Sequence, residues 1–267
     1  MAIDPSADIH PSAIVEDGAV IGPGCRIGAY CVIGAAVELG PRVQLMSHVA
    51  VAGITRIGED TIVWPFASLG HIPQDLKFRG EPTELVIGAR NRIREYTSMN
   101  TGTVGGGGVT RVGDDNLFMM STHVAHDCII GNNVIMANNA TLAGHCVVED
   151  FVVMGGLSAV HQHVRLGRGA MIGGLAGVVA DVIPYGSVTG ERAHLMGLNL
   201  VGLKRRSTSR TEIHELRAAF AALFKGEGTL QSRVEAVSAA YPENPLVREI
   251  VGFITAESSR SFTLPPG

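Results

Sequence analysis

Two histidines and an aspartate, His123, His126 and Asp127, lie within a stretch of five residues near the middle of the chain. A neutral imidazole, whose unperturbed pKa is about 6.5, can remove a proton from a hydroxyl group near neutral pH. Imidazoles are also common zinc ligands. The segment is therefore a candidate site, and its chemistry depends on which other side chains the fold brings beside it.

The surrounding sequence repeats every six residues. An apolar residue recurs at this interval from Ile3 to Leu69, the pattern resumes in the same phase at Ile87, and a shifted pattern runs from Val112 to Val178. A period of six is neither the 3.6 of a helix nor the 2 of a simple strand. Each hexad predicts one short strand and a corner, and three hexads predict one triangular coil of about 18 residues.

Repeats of this kind resemble those of left-handed parallel β-helices, and that resemblance, rather than the period, implies the hand. We expect an all-β left-handed parallel β-helix over residues 1–190, with loops inserted near 71–86 and 102–110. The position four residues after each inward residue is small or β-branched. It holds every cysteine, which predicts a packing role for Cys25, Cys31, Cys128 and Cys146.

Residues 191–267 predict a small α-helical C-terminal domain that covers the end of the coil stack. Ser209 and Glu212 form a capping box at the start of one helix. A second helix is expected from Thr229, and a third begins with Asn244 as its cap and a proline at its first position.

Side chains about 18 residues apart should lie above one another on the prism. His126 and His145 are 19 apart, and His145 and His161 are 16 apart, so we expect these three on one wall. Asp127, Gln162 and His163 should lie beside them. Three interpretations stay open at this point. They are zinc binding, general-base catalysis by one histidine with the others binding substrate, and solvated surface histidines.

The charge is unevenly distributed. Residues 1–191 carry 11 Lys and Arg against 18 Asp and Glu, a net −7, whereas residues 192–267 carry 10 against 7, a net +3. An acidic body with few aromatic residues argues against a nucleic-acid partner. The absence of an apolar run of about 18 residues and of a signal peptide predicts no membrane span and a cytoplasmic location.

Six segments carry a resemblance to a known family: His123-Val124-Ala125-His126-Asp127-Cys128, Ala137-Asn138-Asn139-Ala140-Thr141-Leu142-Ala143-Gly144-His145, Ala159-Val160-His161-Gln162, Gly202-Leu203-Lys204-Arg205-Arg206, Gln74-Asp75-Leu76-Lys77 and Gly80-Glu81-Pro82-Thr83. They resemble motifs of the acyl-carrier-protein-dependent UDP-N-acetylglucosamine O-acyltransferases, which begin lipid A synthesis. The similarity extends over nearly the whole chain.

The resemblance implies a homotrimer that moves a 3-hydroxyacyl chain from acyl carrier protein to the sugar 3-hydroxyl, without a metal or other cofactor. It implies that His126 is the general base, that Asp127 orients it and that the backbone N–H of Gly144 donates to the oxyanion. Gly174 matches the position that limits acyl-chain length. Residues implied to bind substrate are Gln74, Asp75, Lys77, His123, His145, His161, Gln162, Asn199, Arg205 and Arg206.

Two positions depart from the family's pattern, because Asn100 stands where a histidine is usual and Val201 stands where a glutamate is usual. A 3-amino analogue of the sugar is therefore an alternative acceptor. A zinc-dependent carbonic anhydrase of the same fold, a coenzyme A-dependent acetyltransferase and a non-catalytic scaffold remain the other hypotheses.

Overall fold

The computed structural model describes residues 2–266, and most of this length winds into a three-sided prism. Each hexad supplies one short strand followed by a corner. In chain order the strands are β1 (Ala2–Ile3), β2 (Asp8–Ile9), β3 (Ile14–Val15), β4 (Val20–Ile21), β5 (Arg26–Ile27), β6 (Val32–Ile33), β7 (Val37–Leu39), β8 (Gln44–Leu45), β9 (Ala50–Val51), β10 (Ile54–Ile57), β11 (Ile62–Val63), β12 (Ser68–His71), β13 (Glu84–Ile87), β14 (Arg92–Ile93), β15 (Ser98–Asn100), β16 (Val109–Val112), β17 (Leu117–Phe118), β18 (His123–Val124), β19 (Ile129–Ile130), β20 (Ile135–Met136), β21 (Thr141–Leu142), β22 (Val147–Val148), β23 (Val153–Met154), β24 (Ala159–Val160), β25 (Arg165–Leu166), β26 (Met171–Ile172), β27 (Gly177–Val178), β28 (Gly186–Thr189) and β29 (His194–Leu198).

Every third strand pairs in parallel register, which produces three sheets. Sheet A runs from β1 to β25, sheet B from β2 to β26 and on to β28 and β29, and sheet C from β3 to β27. The chain passes from A to B to C and back to A, so the prism has an A–B corner, a B–C corner and a C–A corner. This is the left-handed parallel β-helix that the repeats predict.

The apolar residue of each hexad points into the prism. From Ile21 to Val178 every one of these residues is buried, whereas Ile3, Ile9 and Val15 at the open N-terminal end are partly exposed. Burying one such side chain contributes roughly 1.5–3 kcal/mol. The ladder of inward residues therefore stabilises the stack coil by coil and fixes which residues face outward.

Both inserted loops leave the prism at the C–A corner. They span residues 72–83, between β12 and β13, and residues 101–108, between β15 and β16. The second contains a short 3₁₀ turn, Val104–Gly106. Strand partners across the first insertion, Ile54 and Glu84, are 30 residues apart, and partners across the second, Glu84 and Val109, are 25 apart.

The last coil is closed before the helices begin. Strand β29 pairs antiparallel with β28, so the first helix starts at Leu200 and not near residue 191, where the sequence predicts a change to helical structure. The helices are α1 (Leu200–Arg205), α2 (Arg210–Lys225), α3 (Leu230–Ala240) and α4 (Pro245–Thr255).

The predicted helix caps are confirmed. The Ser209 hydroxyl accepts from the Glu212 N–H, and the Glu212 carboxylate accepts from the Ser209 N–H. Asn244 caps α4, whose first residue is Pro245. Within residues 2–266, the helices are too short or too polar to cross a membrane.

The cysteines have the packing role that their repeat position predicts. All are fully buried at corners, and each thiol donates to a backbone carbonyl about one coil away. The acceptors are Gly40 for Cys25, Met46 for Cys31, Ala143 for Cys128 and His161 for Cys146.

Candidate active site

Five successive turns at the C–A corner carry the two inserted loops and four of the ten histidines. The loops 72–83 and 101–108 come first, followed by the turns 125–128, 143–146 and 161–164. Each of these turns leaves sheet C and enters sheet A one strand spacing above the last, about 4.8 Å. The corner thus forms one continuous surface on which distant parts of the sequence meet.

His126 and Asp127 form a hydrogen-bonded pair in the first of the histidine turns. His126 Nδ1 lies 2.8 Å from Asp127 Oδ2. A carboxylate can only accept, so Nδ1 carries the proton and Nε2 is left with its lone pair free. The Asp127 side chain is completely buried, whereas the imidazole is 14% exposed. The pair therefore presents one basic nitrogen at the surface.

The second inserted loop holds the Asp127 carboxylate in place. The Thr103 N–H donates to Oδ1 at 2.8 Å and the Thr103 hydroxyl donates to Oδ2 at 2.6 Å. The backbone N–H of Asp127 donates to the Thr110 hydroxyl at 2.8 Å. A methyl group on Gly106 would overlap the carboxylate. The loop is thus built around this one buried charge.

Gly144, in the next turn of the corner, lies directly against the His126 ring. The two residues are 18 positions apart, one full coil, and a Cβ on Gly144 would lie 2.5 Å from Cε1 and 2.7 Å from Nε2 of His126. The ring occupies the space that any other side chain would need. Within residues 2–266 the Gly144 N–H donates to no other group, while its carbonyl accepts from the His163 N–H. A free donor therefore lies close to the basic nitrogen.

His145 joins the pair from the next coil. Its ring meets the His126 ring edge-on at a centroid distance of 4.9 Å, and its Nδ1 lies 3.7 Å from Asp127 Oδ2. Burial lowers the pKa of His145, Asp127 opposes that effect, and His163 and His126 add to it. His145 is therefore set to be neutral near pH 7.

The histidine whose ring stacks on His145 is His163, whereas His161, the third histidine of the predicted wall, lies at the same corner but makes a different contact. The rings of His145 and His163 are parallel within 7° at 4.4 Å. Both residues take the left-handed conformation at their corners, with φ of 62° and 64°. His161 sits two residues earlier, where sheet C ends, and its Nδ1 contacts Arg260.

His123 faces outward from sheet C, three residues before His126. Its Nδ1 lies 2.8 Å from the Ser98 hydroxyl, on the neighbouring strand. Burial lowers the pKa of His123, and the nearby His126 lowers it further. Asn100, on the same strand as Ser98, donates to the carbonyls of His71 and Ile72 and so ties down the first loop.

A cavity of about 320 Å³ opens between the two loops and the stacked histidines. Asp75 and Lys77 of the first loop line it together with His145, His163 and Thr103. Gln74, also predicted to bind substrate, is exposed at the loop surface. The cavity combines both signs of charge with imidazoles, which suits a polar, charged ligand.

The predicted substrate residues near α1 lie on a different face of the prism. Asn199 and Arg205 line a separate cavity of about 460 Å³ against sheet B, together with Val201. Asn199 also caps α1, because its Oδ1 accepts from the Gly202 N–H at 2.9 Å. Arg206 is half-buried over the rings of Phe151 and Tyr185, and burial lowers its pKa.

Gly174 lies at the B–C corner, not at the corner of His126. The two residues are 174 − 126 = 48 positions apart, which is six short of three 18-residue coils, so they lie at opposite edges of sheet C. The turn is exposed, and a Cβ on Gly174 would meet only the Gly156 backbone at 3.4 Å.

A metal could be considered at the C–A corner, since ligand atoms of His126, Asp127 and His145 lie within 4.8 Å of one another. The carboxylate oxygen nearest both rings, however, already accepts from His126 and from the Thr103 hydroxyl. A metal there would have to displace both donors. The donor set therefore fits a hydrogen-bonded base better than a metal centre.

Comparison with known proteins identifies the family. Residues 181–263 match the model for domain 2 of UDP-N-acetylglucosamine O-acyltransferase, and residues 110–144 match the bacterial transferase hexapeptide model. The acyl-[acyl-carrier-protein]–UDP-N-acetylglucosamine O-acyltransferase of Paracoccus denitrificans is 62% identical over 204 residues, which cover 76% of this chain and 77% of that protein. The chain belongs to the UDP-N-acetylglucosamine O-acyltransferase family.

Solved structures of UDP-N-acetylglucosamine acyltransferases agree with this placement. One is 42% identical with a TM-score of 0.93, covering 97% of this chain and all of the other. The enzyme from Campylobacter jejuni is 38% identical with a TM-score of 0.92 at the same coverage. These similarities in fold extend over almost the entire chain. Family membership disfavours the carbonic anhydrase and scaffold hypotheses.

Sequence reasoning placed His163 beside His161 in this acyltransferase but did not pair it with His145. The strict 18-residue spacing from His145 to His163 would have shown the pairing, because corner positions repeat at that interval. Thr103 lies in a glycine-rich insertion that obeys no repeat, so no pattern pointed to its contact with Asp127.

Proposed function

We propose that the chain transfers a 3-hydroxyacyl group from the thioester of acyl carrier protein to the 3-hydroxyl of UDP-N-acetylglucosamine, the first step of lipid A synthesis, with His126 as general base. The observation that carries the proposal is the hydrogen bond from His126 Nδ1 to the buried carboxylate of Asp127. That bond leaves Nε2 able to accept a proton at the protein surface.

In the first step, the sugar oxygen attacks the thioester carbonyl carbon while Nε2 takes the hydroxyl proton. The positive imidazolium that forms is stabilised by Asp127, whose charge is held in place by Thr103. The carbonyl oxygen becomes an oxyanion, and the Gly144 N–H is the donor we assign to it. Collapse of the intermediate breaks the carbon–sulfur bond, and the imidazolium returns its proton to the departing thiolate.

The two cavities divide the substrate residues into two groups. Asp75, Lys77 and the histidines line or adjoin the C–A corner, whereas Asn199 and Arg205 lie against sheet B. One chain cannot bring these faces together, because the prism lies between them. We therefore infer that the site is completed by a second copy in a homotrimer.

The 3-amino sugar remains the alternative acceptor. Asn100 Oδ1 is buried and, within the described residues, has no hydrogen-bond partner, because the amide nitrogen holds the first loop. An unpaired acceptor favours a ligand that brings a donor, and an amino group offers more N–H donors than a hydroxyl offers O–H donors.

A transfer assay with purified protein tests the proposal and separates the acceptors. UDP-N-acetylglucosamine and its 3-amino analogue would each be supplied with 3-hydroxyacyl carrier proteins of several chain lengths. We expect an alkali-labile ester from the first sugar, with activity unchanged by chelators. A stable amide formed only from the 3-amino sugar would show that this sugar is the acceptor. The absence of product from either sugar would overturn both acceptor hypotheses.

A further inference from the structure

The C-terminal tail returns to the β-helix after α4 and is fixed there by a buried carboxylate. Asp181, which is fully buried, accepts from the Ser258 hydroxyl at 2.6 Å and from Arg165 Nε at 2.7 Å. Its backbone N–H donates to the Ser261 carbonyl, and its carbonyl accepts from the Thr263 N–H, both at 2.8 Å. Residues 258–263 are thus held in one path along the prism.

This path brings Arg260 to the C–A corner. Arg260 Nη2 lies 2.8 Å from His161 Nδ1, and Arg260 Nε donates to the Gln162 carbonyl at 3.1 Å. Nearly a hundred residues of sequence separate Arg260 from this turn. No repeat or motif in the sequence indicates the contact.

The contact determines which ring nitrogen of His161 carries a proton. A guanidinium has donors and no acceptor, so His161 Nδ1 must accept, and a neutral ring then carries its proton on Nε2. The Gln162 carbonyl lies 3.3 Å from the same Nδ1 and would favour the opposite tautomer, but that carbonyl already accepts from Arg260 Nε. Arg260 therefore donates to both His161 Nδ1 and the Gln162 carbonyl. It thereby disfavours the tautomer in which Nδ1–H would donate to that carbonyl.

We propose that Arg260 is a positioning residue that sets His161 as an N–H donor, through Nε2, toward an acceptor oxygen of one of the two substrates. The inference rests on the proposed function, in which His161 binds substrate. Without Arg260, the proton of His161 would move to Nδ1 and Nδ1–H would donate to the Gln162 carbonyl. Nε2 would then be an acceptor and could no longer donate to the substrate oxygen. A tail residue outside the β-helix thereby controls the polarity of one contact in the site.

The tautomer can be measured without turnover. Nitrogen-15 spectra of histidine-labelled protein distinguish a protonated Nε2 from a protonated Nδ1. We expect His161, assigned with a His161→Gln variant, to show the Nε2–H form in the wild type and to shift toward Nδ1–H in Arg260→Met. Arg260→Lys, which keeps a charged donor on a long stem, should restore part of the wild-type signal.

Kinetics then identify the substrate that His161 contacts. Loss of one neutral hydrogen bond should raise one Michaelis constant roughly three- to tenfold with kcat little changed. A rise for UDP-N-acetylglucosamine places the acceptor oxygen on the sugar nucleotide, and a rise for the acyl carrier protein places it on the acyl donor. Arg248→Met is the matched control, because among the described residues the Arg248 side chain, on α4, donates to the Pro242 carbonyl and to no group of the C–A corner.

The outcomes separate the two proposals. An unchanged His161 spectrum with unchanged Michaelis constants in a folded Arg260→Met protein would overturn this inference and leave the proposed function intact. A wild type that transfers no acyl group would overturn the proposed function, while the spectrum would still report whether Arg260 sets the tautomer. If Arg260→Met lowers the melting temperature, the spectrum of Arg260→Lys replaces it as the test. A His161 signal in Arg260→Lys that keeps part of the Nε2–H form would support the inference, and a signal fully shifted to Nδ1–H would overturn it.

Discussion

Asp127 orients the residues around it through hydrogen bonds, although its side chain is buried. It accepts from His126 and from both donors of Thr103, and it lies near His145. A carboxylate is buried without a large free-energy cost only when its oxygens accept hydrogen bonds, and these donors provide them. The His126 ring is therefore oriented by a group that no substrate needs to touch.

Replacing His126 with alanine should lower transfer by roughly 100- to 10,000-fold, because the general base is lost. The protein should remain folded, since the inward residue of this hexad is Val124. Initial rates at saturating substrates check the first expectation and thermal unfolding checks the second. His10→Ala, in an exposed turn near the N-terminus, is the control. A His126→Ala protein with more than a tenth of wild-type turnover would contradict the assignment.

His123 should make the fold less stable in mild acid. Burial holds its folded pKa below the unfolded value of about 6.5. As pH falls through that value the unfolded chain binds a proton that the folded chain does not, so the free energy of unfolding decreases down to the folded pKa. Denaturant titrations at pH 7.5 and 5.5 should show a smaller loss for His123→Asn than for wild type. An equal loss in both would contradict the burial effect.

The sequence pointed to the pair of His126 and Asp127 but not to the individual contacts of the histidines around it. His126 and Asp127 are adjacent and could be recognised together, whereas the contacts of His161 and His163 depend on which of three successive corner positions each one occupies. A difference of two residues moves a side chain from the left-handed corner position to the end of sheet C. Approximate coil spacing was too coarse for that distinction.

At the scale of the loops, residues 101–108 hold the Asp127 carboxylate that His126 contacts. Their glycines leave room for the carboxylate, and Thr103 supplies two donors to it. Sequence reasoning placed this insertion near its observed position but did not indicate a contact with Asp127. The hydrogen bonds to this buried carboxylate give the loop a fixed conformation.

Thr103→Val should reduce kcat roughly tenfold or more, because a hydrogen bond to a charged group contributes about 1.5–3 kcal/mol. The Michaelis constants should change less, since the cavity keeps its shape. Thr103→Ser retains the hydroxyl and should recover most of the rate. Steady-state kinetics of the two variants provide the comparison, and equal rates for Val and wild type would show that the hydroxyl does not position Asp127.

At the scale of the whole molecule, the two groups of substrate residues call for a second copy. Sedimentation equilibrium should give about three times the 28.0 kDa chain mass. His126→Ala and Arg205→Ala, each inactive alone, should regain activity when coexpressed, because a mixed trimer contains an interface with both halves intact. Coexpression of His126→Ala with Asp127→Ala, which damages the same half, is the control. A fully active monomer would contradict the shared site.

The acyl chain must run from His126 toward the B–C corner if Gly174 limits its length. Glycine leaves this turn open, so Gly174→Met should shift the preferred acyl chain to one several carbons shorter while kcat for the short chain is retained. Competition between carrier proteins loaded with different chains measures the preference. Leu175→Met, at the next exposed residue, should leave it unchanged. Unaltered preference in Gly174→Met would mean that the chain lies elsewhere.

The strands, the corners and the inward residues of the prism were predictable because one rule repeats through them, whereas its hand came from the resemblance to known β-helices. The inward residues named from the sequence are buried wherever the stack has coils on both sides. The antiparallel strand β29 was missed, since it pairs only once and follows no period. Repeated strands can be predicted from residue types that recur at a fixed spacing. The contacts that close the stack each occur once, so no spacing predicts them.

The coils at the C–A corner also show how such a protein can acquire new chemistry. Successive coils hold 30, 25 and 18 residues, yet the strands on either side of each turn stay paired in parallel, with one register shift between Leu69 and His71. Relative to 18, the added lengths are 30 − 18 = 12 and 25 − 18 = 7 residues, and neither disturbs the inward ladder. Grafting a foreign segment into one of the plain corner turns should therefore leave the scaffold intact, which makes this edge a natural place to install a designed binding loop.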